Sequence, residues 1–404
     1  MAHVANEVWI TGIGLVSSLG DDTPAHVAFL SDSGRRPLVD EQRYEPYCIH
    51  PLLPLDYSKQ IPKKSDQKQM EPWQRIGVYA AGLALADAGI AGRAELLDRT
   101  DLVVAAGSGE RDISVDCEVL DKLSRSEDSA LLAKEVLPSA LRPTLFLAQL
   151  SNMLAGNISI VHGVTGSSRT FMGEEMAGLA AAENAVRRIT AGQAQLALVG
   201  GALNAEREDL LLGYELGHNL WRGPYAPVWG RRNGGGGFIL GSVGAFLVLE
   251  ARPHAESRGA TAYARIADVV TDRCSRGVGA VERKLIELFE RLRTKMPKGA
   301  LPILSGASGV EPTTSEEIDF FDYLSACGIE PIVRAYGSQL GHSVEAHFPA
   351  GLALAALAIS YSALPSALEC SVIERPLTGA VQRVLVTGTG HWRGEGLALV
   401  EAIN

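Results

Sequence analysis

Two adjacent carboxylates, Glu174 and Glu175, stand where a glycine-containing turn meets a predicted helix at residues 175–191. A carboxylate in the first turn of a helix meets free backbone N–H groups and the positive end of the helix dipole, which stabilises it by about 0.3 to 1 kcal/mol. Such a group is held in place rather than made reactive. The alternative interpretation is an ordinary N-terminal helix charge without a function, since acidic residues are common there.

The cysteines do not form a pattern that carries chemistry. They are scattered and odd in number, without the paired spacing of a zinc site or of a disulfide framework. We therefore expect reduced and mostly structural thiols. The five residues are Cys48, Cys117, Cys274, Cys327 and Cys370.

Three histidines, His342, His347 and His391, are the remaining candidates for chemistry. His347 follows His342 by five residues and His391 lies in a separate loop, with no adjacent carboxylate ligand set in the sequence. A zinc site needs three or four such ligands together. The sequence therefore predicts no metal site, and His342 is expected to be hydrogen-bonded in the core.

Two glycine-rich segments are similar to nucleotide-binding loops but lack their essential residues. The four glycines at residues 234–237 precede a strand and are not followed by Lys-Ser/Thr. Near the start, Gly12-Ile13-Gly14 is followed by Ser17 at the third glycine position, and no helix follows at once. We expect turns at both places and no cofactor.

Short apolar runs that end in glycine recur along the chain and predict buried strands that feed tight turns. Helical stretches separate them, so the expected class is α/β with a mainly parallel sheet and helices on both faces. The predicted strands are residues 8–14, 102–107, 196–201, 303–306 and 384–388, and the predicted helices are residues 73–88, 175–191, 280–295 and 345–360.

Composition narrows the class of protein. The chain has 404 residues, 46% of them hydrophobic, which suffices for a large core in one large or two medium domains. No apolar run reaches the roughly 18 residues of a membrane span, and no charged-then-apolar leader is seen, so we expect a cytoplasmic protein. A net charge of -10 without a basic stripe argues against nucleic acid as a partner.

Two of the predicted helices are unusually similar. Residues 176–182 and 350–356 are nearly all small, which lets backbones approach closely in a crowded interior. Each helix also follows a glycine-containing turn, at residues 163–173 and 337–341. Two ordinary buried helices would explain the composition alone. A duplicated half, with each helix N-terminus directed at a central site, explains both features.

Four ordered motifs resemble those of the β-ketoacyl-acyl-carrier-protein synthases, or ketosynthases. They are spread in order from residue 10 to residue 343, which makes them more specific than any one short pattern. The resemblance implies an α/β, thiolase-like fold with duplicated βαβαβ halves, two central mixed sheets and buried helices between them, divided at residues 1–255 and 256–404. The motifs are residues 10–20 (ITGIGLVSSLG), residues 151–166, residues 237–245 (GFILGSVGA) and Gly341-His342-Ser343.

The resemblance also implies a thiolate nucleophile at a helix N-terminus, which takes the acyl chain. Counting from Gly166 puts the family's cysteine position at Glu175, or at Glu174 after a one-residue shift. A carboxylate cannot replace the thiolate as a thioester-forming acceptor. Glu175 is instead expected to fill the vacant oxyanion hole.

The other catalytic positions of the family are also altered. Ala307 stands in place of the first histidine and Gly337 in place of a lysine, so that only His342 remains. The C-terminal GFGGTN motif, with its gating phenylalanine, reads GTGHWRG at residues 388–394. The resemblance therefore implies a degenerate active site at Glu175, Ala307, Gly337 and His342.

Three functions are compatible with this resemblance. The favoured one is a non-catalytic subunit, similar to chain-length factors, that pairs with a catalytic ketosynthase in fatty acid or polyketide chain elongation. The second is an enzyme in its own right, either an atypical 3-oxoacyl-ACP synthase or a malonyl-ACP decarboxylase that uses Glu175 and His342, although a carboxylate in the oxyanion hole opposes enolate formation. The third is a scaffold that only borrows the fold.

The expected partners follow from the same resemblance. Residues 157–160 and the strand before the central helix are expected to pair with their two-fold equivalents, in a heterodimer or with a second copy of the chain.

Acyl carrier protein is the other expected partner. Its acidic surface would be steered by four lysines within residues 59–69, for which a merely solvated loop is the alternative interpretation.

Overall fold

Among the described residues, ten strands form one continuous sheet and three short strands form a smaller one. The computed structural model describes residues 6–32, 36–125, 130, 134, 137–141, 143–296, 298–368 and 373–403. The strands are β1 (Val8–Val16), β2 (Asp40–Tyr44), β3 (Tyr47–His50), β4 (Asp101–Ala105), β5 (Ser168–Phe171), β6 (Leu196–Leu203), β7 (Leu240–Gly241), β8 (Val243–Ala251), β9 (Ala264–Asp272), β10 (Gly299–Ser305), β11 (Ile329–Ala335), β12 (Arg383–Thr389) and β13 (Glu395–Glu401).

Helices fill the connections between these strands. The α-helices are α1 (Thr23–Ser31), α2 (Lys64–Gln69), α3 (Pro72–Asp87), α4 (Ala94–Leu97), α5 (Ile113–Arg125), α6 (Leu137–Ala140), α7 (Pro143–Ala148), α8 (Met153–His162), α9 (Glu175–Thr190), α10 (Glu208–Leu216), α11 (Arg252–Ser257), α12 (Ala280–Leu292), α13 (Thr313–Ala326), α14 (Gly337–Leu340) and α15 (His347–Ser360). Short 3-10 helices span Tyr57–Lys59, Trp229–Gly234, Arg293–Lys295 and Val344–Ala346.

The ten-stranded sheet consists of two halves with the same topology. The first half has the order β5-β4-β6-β8-β1 and the second has the order β11-β10-β12-β13-β9, so each reads 3-2-4-5-1 in its own strands. In both halves the first three strands are parallel and the next two pairings are antiparallel. The duplication predicted from the sequence is therefore present.

The two halves meet at β1 and β9. These strands share a short antiparallel ladder with three paired positions, from Val8 opposite Ile266 to Ile10 opposite Ala264. Because this ladder links the halves edge to edge, the two mixed sheets expected from the sequence form one continuous sheet.

The central helices α9 and α15 lie between the two halves. They contact each other, and each contacts strands of both halves. Helices α3 and α8 cover the outer face of the first half, and α12 and α13 cover that of the second. All residues of α15 except Ser360 are buried. The α/β layering thus directs the N-termini of α9 and α15 into the middle of the molecule.

Small residues permit this close approach of α9 and the start of α15. A Cβ atom on Gly178 would lie 2.5 Å from the backbone oxygen of Glu345, and one on Gly351 would lie 2.8 Å from the hydroxyl of Tyr336. Such distances are shorter than van der Waals contact, so a larger side chain would force the elements apart. The small residues noted in the sequence have the packing role predicted for them.

The two outermost strands of the large sheet, β5 and β11, differ in sequence. Strand β5 contains no proline and its side chains are partly exposed. Strand β11 contains Pro331, which lacks a backbone N–H, next to the exposed Glu330. Proline and charge are typical protections of a sheet edge against further pairing, and only β11 has both.

The large sheet is mixed and not mainly parallel as expected, because five of its nine described strand pairings are antiparallel and four are parallel. The predicted strands and helices match the structure except in one segment. Residues 157–160 were expected to take part in sheet pairing, but they belong to helix α8. The apolar residues of this segment recur at helical rather than strand spacing, and Leu154 and Ile158 face the core. The strand that leads to the central helix is β5, at the end of the sheet order.

A buried ion pair fixes the end of β8 against helix α11. Glu250, which is fully buried, accepts hydrogen bonds of 2.7 Å from two guanidinium nitrogens of Arg258 and one of 3.0 Å from Thr11. Arg258 also donates to the backbone oxygen of Ala88 at 2.9 Å. The network joins three segments of the first half to Arg258, which directly follows α11.

Within the part of the chain that the structure describes, no helix is both long and apolar enough to cross a membrane.

Candidate functional site

The centre of the molecule is organised by the turn that leads from β5 into α9. Gly173 and Glu174 both have positive φ angles, of 127° and 57°. Glycine adopts such a conformation freely, whereas for a glutamate it is strained. This turn places Glu175 as the first residue of α9, with 4% of its surface exposed.

The carboxylate of Glu175 lies between two histidines. Its Oε1 atom is 2.7 Å from Nε2 of His342 and 2.7 Å from Nδ1 of His391, and it accepts a hydrogen bond of 3.2 Å from the backbone N–H of His391. Its Oε2 atom is buried and has no hydrogen-bond partner among the described residues. The hydrogen bonds to Glu175 therefore come from the C-terminal loop and from His342, and not from the N–H groups of its own helix.

These contacts determine the charges of the three groups. Burial alone would raise the pKa of Glu175, but the charge of His391 and the hydrogen bonds from both histidines hold that pKa well below its ordinary value. Burial opposes protonation of His391, yet the attraction of Glu175 raises the pKa of His391. The pKa of His342 is lowered, chiefly by burial. The site thus contains a carboxylate, an imidazolium that forms readily, and a neutral imidazole.

A third histidine, His347, occupies the space beside Ala307 and Gly337. A Cβ atom on Gly337 would lie 3.4 Å from the backbone oxygen of Ala307 and 3.5 Å from Cε1 of His347. The ring centroid of His347 lies 4.4 Å from that of His342 and 4.3 Å from that of Tyr336. The predicted positions Ala307, Gly337 and His342 therefore lie together, with His347 packed among them.

His347 is enclosed on all sides. Its Nε2 atom is buried without a hydrogen-bond partner among the described residues, and burial together with the neighbouring His342 holds the pKa of His347 well below its ordinary value. A neutral ring in this position fills space that would otherwise be a cavity. It does not reach the Glu175 carboxylate through any hydrogen bond of the described residues.

Two adjoining cavities connect this centre with the surface. One, of about 240 Å³, is lined by residues that include Gly107, Glu174, Tyr214 and Glu345. The other, of about 530 Å³, shares Glu174 and Tyr214 with the first and reaches His391. The Glu175–His391 pair is therefore buried but lies next to solvent-accessible space.

Glu345 adds a second unusual carboxylate to the wall of the smaller cavity. Burial, together with the nearby charges of Glu175 and Glu174, raises the pKa of Glu345 to about 7. The pKa of Tyr214 is raised for the same reasons, first by burial and then by Glu345 and Glu175. The cavity thus concentrates acidic groups around the histidine pair.

Sequence reasoning missed the role of His391 and did not single out Glu345. The expectation that the histidines lack a carboxylate neighbour is wrong, because Glu175 lies at hydrogen-bond distance from both His342 and His391. The residues are 167 and 216 positions away from Glu175, so only the fold brings them together. A charged residue inside the apolar segment at residues 344–359 was the available signal for Glu345.

The described cysteines are not placed for catalysis. None of Cys48, Cys117, Cys274 and Cys327 lines the two cavities that reach Glu174 and His391. Burial raises the pKa of Cys48 to about 11, and burial together with Glu395 raises that of Cys274 to about 11. Thiols with such pKa values are poor nucleophiles at neutral pH. Cys370 lies outside the described residues.

Comparison with known proteins places these observations in a wider context. Residues 5–255 match the family model of the N-terminal domain of β-ketoacyl synthases. The chain is 27% identical over 267 residues to 3-oxoacyl-[acyl-carrier-protein] synthase 2 of Vibrio harveyi, an alignment that covers 64% of this chain and 61% of that protein. It is 28% identical over 276 residues to the tetracenomycin polyketide synthase ketoacyl synthase beta subunit of Streptomyces glaucescens, covering 64% and 62%. The matched stretch thus spans about three fifths of these relatives' length.

Solved structures agree over the whole chain. The ishigamide ketosynthase/chain length factor superposes with a TM-score of 0.77 at 19% identity, covering 99% of this chain and all of the other. A type II polyketide synthase acyl carrier protein in complex with its ketosynthase gives a TM-score of 0.74 at 17% identity, with 99% and 100% covered. At these identities the similarity establishes the fold.

Proposed function

This chain belongs to the β-ketoacyl synthase family and has its thiolase-like α/β fold, and on that premise we propose that it is a non-catalytic, chain-length-factor-like subunit. In this role it pairs with a catalytic ketosynthase and acts in fatty acid or polyketide chain elongation. The proposal concerns the degenerate positions Glu175, Ala307, Gly337 and His342.

The observation that carries the proposal is the carboxylate at the N-terminus of α9. Acyl transfer in this family requires a thiolate, and Glu175 is held by His342 and His391 with its charge already neutralised. A carboxylate so fixed does not accept an acyl chain from a thioester. Ala307 and Gly337 offer no polar side chain to replace the missing groups.

The same geometry disfavours an independent decarboxylase. Decarboxylation of a malonyl group develops negative charge on an enolate oxygen, which needs hydrogen-bond donors. The backbone N–H of His391 and the N–H groups of both rings are directed at Glu175 Oε1 instead. Glu174 and Glu345 line the adjoining cavity and would repel a malonyl carboxylate.

The partner surface in this proposal is the β5 face, which we define as β5 with the exposed side chains of Leu150, Ile160 and Met172. Ile160 is 72% exposed and Met172 is 62% exposed. Helix α8 packs beside β5, and the hydroxyl of Ser151 lies 3.1 Å from Sδ of Met172, so these groups are neighbours. An open strand edge flanked by apolar side chains is poorly tolerated in water. It favours a partner subunit or a second copy of the chain.

The similarity to the ketoacyl synthase beta subunit of Streptomyces glaucescens and to the ishigamide ketosynthase/chain length factor supports this assignment. Acyl carrier protein remains part of the proposal as the carrier of the growing chain. Its docking site would be the four lysines on and before α2, which are all exposed; they are Lys59, Lys63, Lys64 and Lys68. An exposed basic cluster on an acidic chain attracts acidic partners.

We also propose the duplicated halves as the two domains, at residues 1–255 and 256–404. Their identical strand order supports this division. The boundary falls within α11, the helix that connects β8 with β9.

Co-expression tests the proposal. The chain should co-elute on gel filtration with a cysteine-containing ketosynthase from the same source, and its presence should change product yield or chain length. Ile160→Glu combined with Met172→Glu should abolish co-elution, because two charges would be buried in the interface. Val278→Glu, at an exposed apolar residue elsewhere, is the matched control. Separate elution of the unmodified chains, together with unchanged products, would refute the proposal.

The chemical part is tested by intact mass spectrometry. The purified chain, incubated with acyl carrier protein bearing an acyl chain, should carry no acyl adduct. An adduct on any residue of this chain would contradict the non-catalytic assignment.

A further inference from the structure

Three side chains from three separate segments converge in the buried centre with their donor atoms together. Glu175 begins α9, His342 follows α14, and His391 lies in the loop between β12 and β13. One carboxylate oxygen and one ring nitrogen from each histidine all lie within 4.8 Å of one another, and all three residues are buried. The fold thus assembles two imidazoles and one carboxylate around a single point.

This donor set suits a particular class of ion. Two imidazole nitrogens and one carboxylate oxygen form the protein ligands of known zinc enzymes and of open non-haem iron sites. Calcium and magnesium prefer oxygen ligands alone. We propose that Glu175, His342 and His391 bind one divalent transition-metal ion, for which zinc is the expected occupant. The proposal goes beyond the subunit role and does not depend on it.

The local charge favours a cation at this point. Glu174 and Glu345 line the cavity beside Glu175, so that three carboxylates surround the two histidines. Arg207 lines the same cavity and Arg276 lies near His391, but these guanidinium groups pair with Asp209 and Glu395. A divalent ion at the donor atoms would add two positive charges beside the remaining acidic groups. Attraction between such charges is strong where water is largely excluded.

The unoccupied lone pairs point to the same conclusion. Glu175 Oε2 is buried without a partner among the described residues, although a buried carboxylate oxygen normally accepts a hydrogen bond. Zinc bonds of about 2.0 to 2.2 Å would separate tetrahedral donors by roughly 3.4 Å. The present 2.7 Å separations require a small opening of the three side chains, and Oε2 is free to serve as the ligand.

The surroundings provide entry and an outer contact. The cavity of about 530 Å³ reaches His391 and leaves a side of the cluster open to water. The Nε2 atom of His391 lies 3.9 Å from Oε1 of Glu174, so a small movement of either side chain would allow the ring to donate a hydrogen bond to that carboxylate when Nδ1 binds metal. Histidine ligands usually donate their second N–H in this way. Bound metal would tie α9, α14 and the C-terminal loop together.

Metal titration tests this inference on the complete chain, expressed without a polyhistidine tag. After treatment with a chelator and desalting, Zn²⁺ should bind with a stoichiometry of one per chain, measured by calorimetry. Co²⁺ should give the visible bands of a tetrahedral site without a thiolate charge-transfer band. Failure to bind Zn²⁺ at stoichiometric concentration, or a thiolate band that reveals a cysteine site, would overturn the proposal.

Single variants locate the site. His391→Gln should weaken Zn²⁺ binding by more than about 100-fold, since loss of an outer contact alone costs about 10- to 100-fold. Glu175→Gln and His342→Gln should act similarly. His218→Gln, at an exposed histidine, is the matched control and should bind Zn²⁺ as the unmodified chain does. Unchanged binding by folded His391→Gln, checked by circular dichroism, would refute the assignment, and the Co²⁺ spectrum of the unmodified chain tests it even if a variant fails to fold.

Discussion

Glu175 Oε1 and His342 Nε2 lie 2.7 Å apart at the point where the two duplicated halves meet. Glu175 belongs to the first half and His342 to the second, so the contact depends on the relative position of α9 and the segment before α15. A hydrogen bond between a carboxylate and a neutral imidazole thereby joins the two halves. Its strength depends on the packing of the two central helices.

The first prediction concerns this packing. Gly178→Ala should destabilise the protein by about 1 to 3 kcal/mol, because the added Cβ would lie 2.5 Å from the backbone oxygen of Glu345. Gly156→Ala is the matched control, since nothing lies within 4 Å of a Cβ there and alanine is the better helix former. Urea denaturation should show a loss for the first variant and no loss for the second. Equal effects would contradict the packing assigned to Gly178.

The second prediction concerns the strained turn before α9. Glu174→Gly should stabilise the protein by about 1 kcal/mol, because glycine adopts the φ of 57° without strain. Glu174→Ala removes the same carboxylate but keeps a Cβ atom. The difference between the two variants in thermal denaturation therefore isolates the backbone contribution. If alanine stabilises as much as glycine, the gain comes from charge and not from the turn.

The third prediction concerns the pH dependence of stability. Glu345 faces Glu174, Glu175, Arg207 and Tyr214, and its pKa of about 7 exceeds the ordinary 4.5. Between pH 4.5 and pH 7 the folded protein thus retains a proton on Glu345 that the unfolded chain has lost. The contribution of Glu345 to the free energy of unfolding therefore falls as the pH rises from 4.5 to 7. Glu345→Gln should remove this loss of stability. The free energy of unfolding of the variant, relative to that of the unmodified chain, should therefore be about 3 kcal/mol greater at pH 8 than at pH 4.

Denaturation of both proteins across this range, with a chelator present, checks the prediction. Glu330→Gln, at an exposed carboxylate on β11, is the control for a change of surface charge. A stability difference between Glu345→Gln and the unmodified chain that does not grow with pH would show that Glu345 titrates normally.

The fourth prediction concerns the buried pair of Glu250 and Arg258. Arg258→Met should destabilise the protein by about 3 kcal/mol, because it leaves a buried carboxylate without its main partner. Burial opposes ionisation of Glu250, but Arg258, His254 and Thr11 outweigh it and lower the pKa of Glu250. Its stabilisation is therefore present at neutral pH and is lost as the pH falls through the lowered pKa.

Two variants control this experiment. Arg252→Met removes an exposed pair with Glu256 on the same helix and should have a much smaller effect. Adding Glu250→Gln to Arg258→Met should restore part of the lost stability, as expected when an uncompensated charge is the cause. Measurement of the free energy of unfolding distinguishes these outcomes, and no recovery in the double variant would contradict the mechanism.

Much of the fold was predictable because its signals are local. Buried strands that end in glycine, and helices of small residues such as α9 and α15, are readable within a short window. The position of Glu175 at a helix N-terminus followed from counting residues after Gly166. Residues 157–160 were predicted to take part in sheet pairing because of the resemblance to ketosynthases. That prediction was wrong, and the helical spacing of their apolar residues was the better guide.

The partners of Glu175 were not predictable because they depend on tertiary structure. His391 lies 216 residues away and reaches the site only through the antiparallel pairing of β12 with β13. His347 fills space beside Ala307 and Gly337, a packing relationship that leaves no mark on sequence spacing. The sequence around His342 and His391 shows no carboxylate partner, because the carboxylate that contacts both rings, Glu175, belongs to the other half of the chain.

The unequal edges of the large sheet bear on how far these chains could assemble under the proposed pairing. Continuous addition of strands at both ends would create an endless ribbon, the route by which sheets grow into filaments. Pro331 and Glu330 block that growth at β11, whereas β5 remains able to accept a neighbour. In the proposed pairing through β5, two joined subunits would expose only the β11 edges of the large sheet. We therefore expect association to stop at two subunits instead of continuing into a polymer.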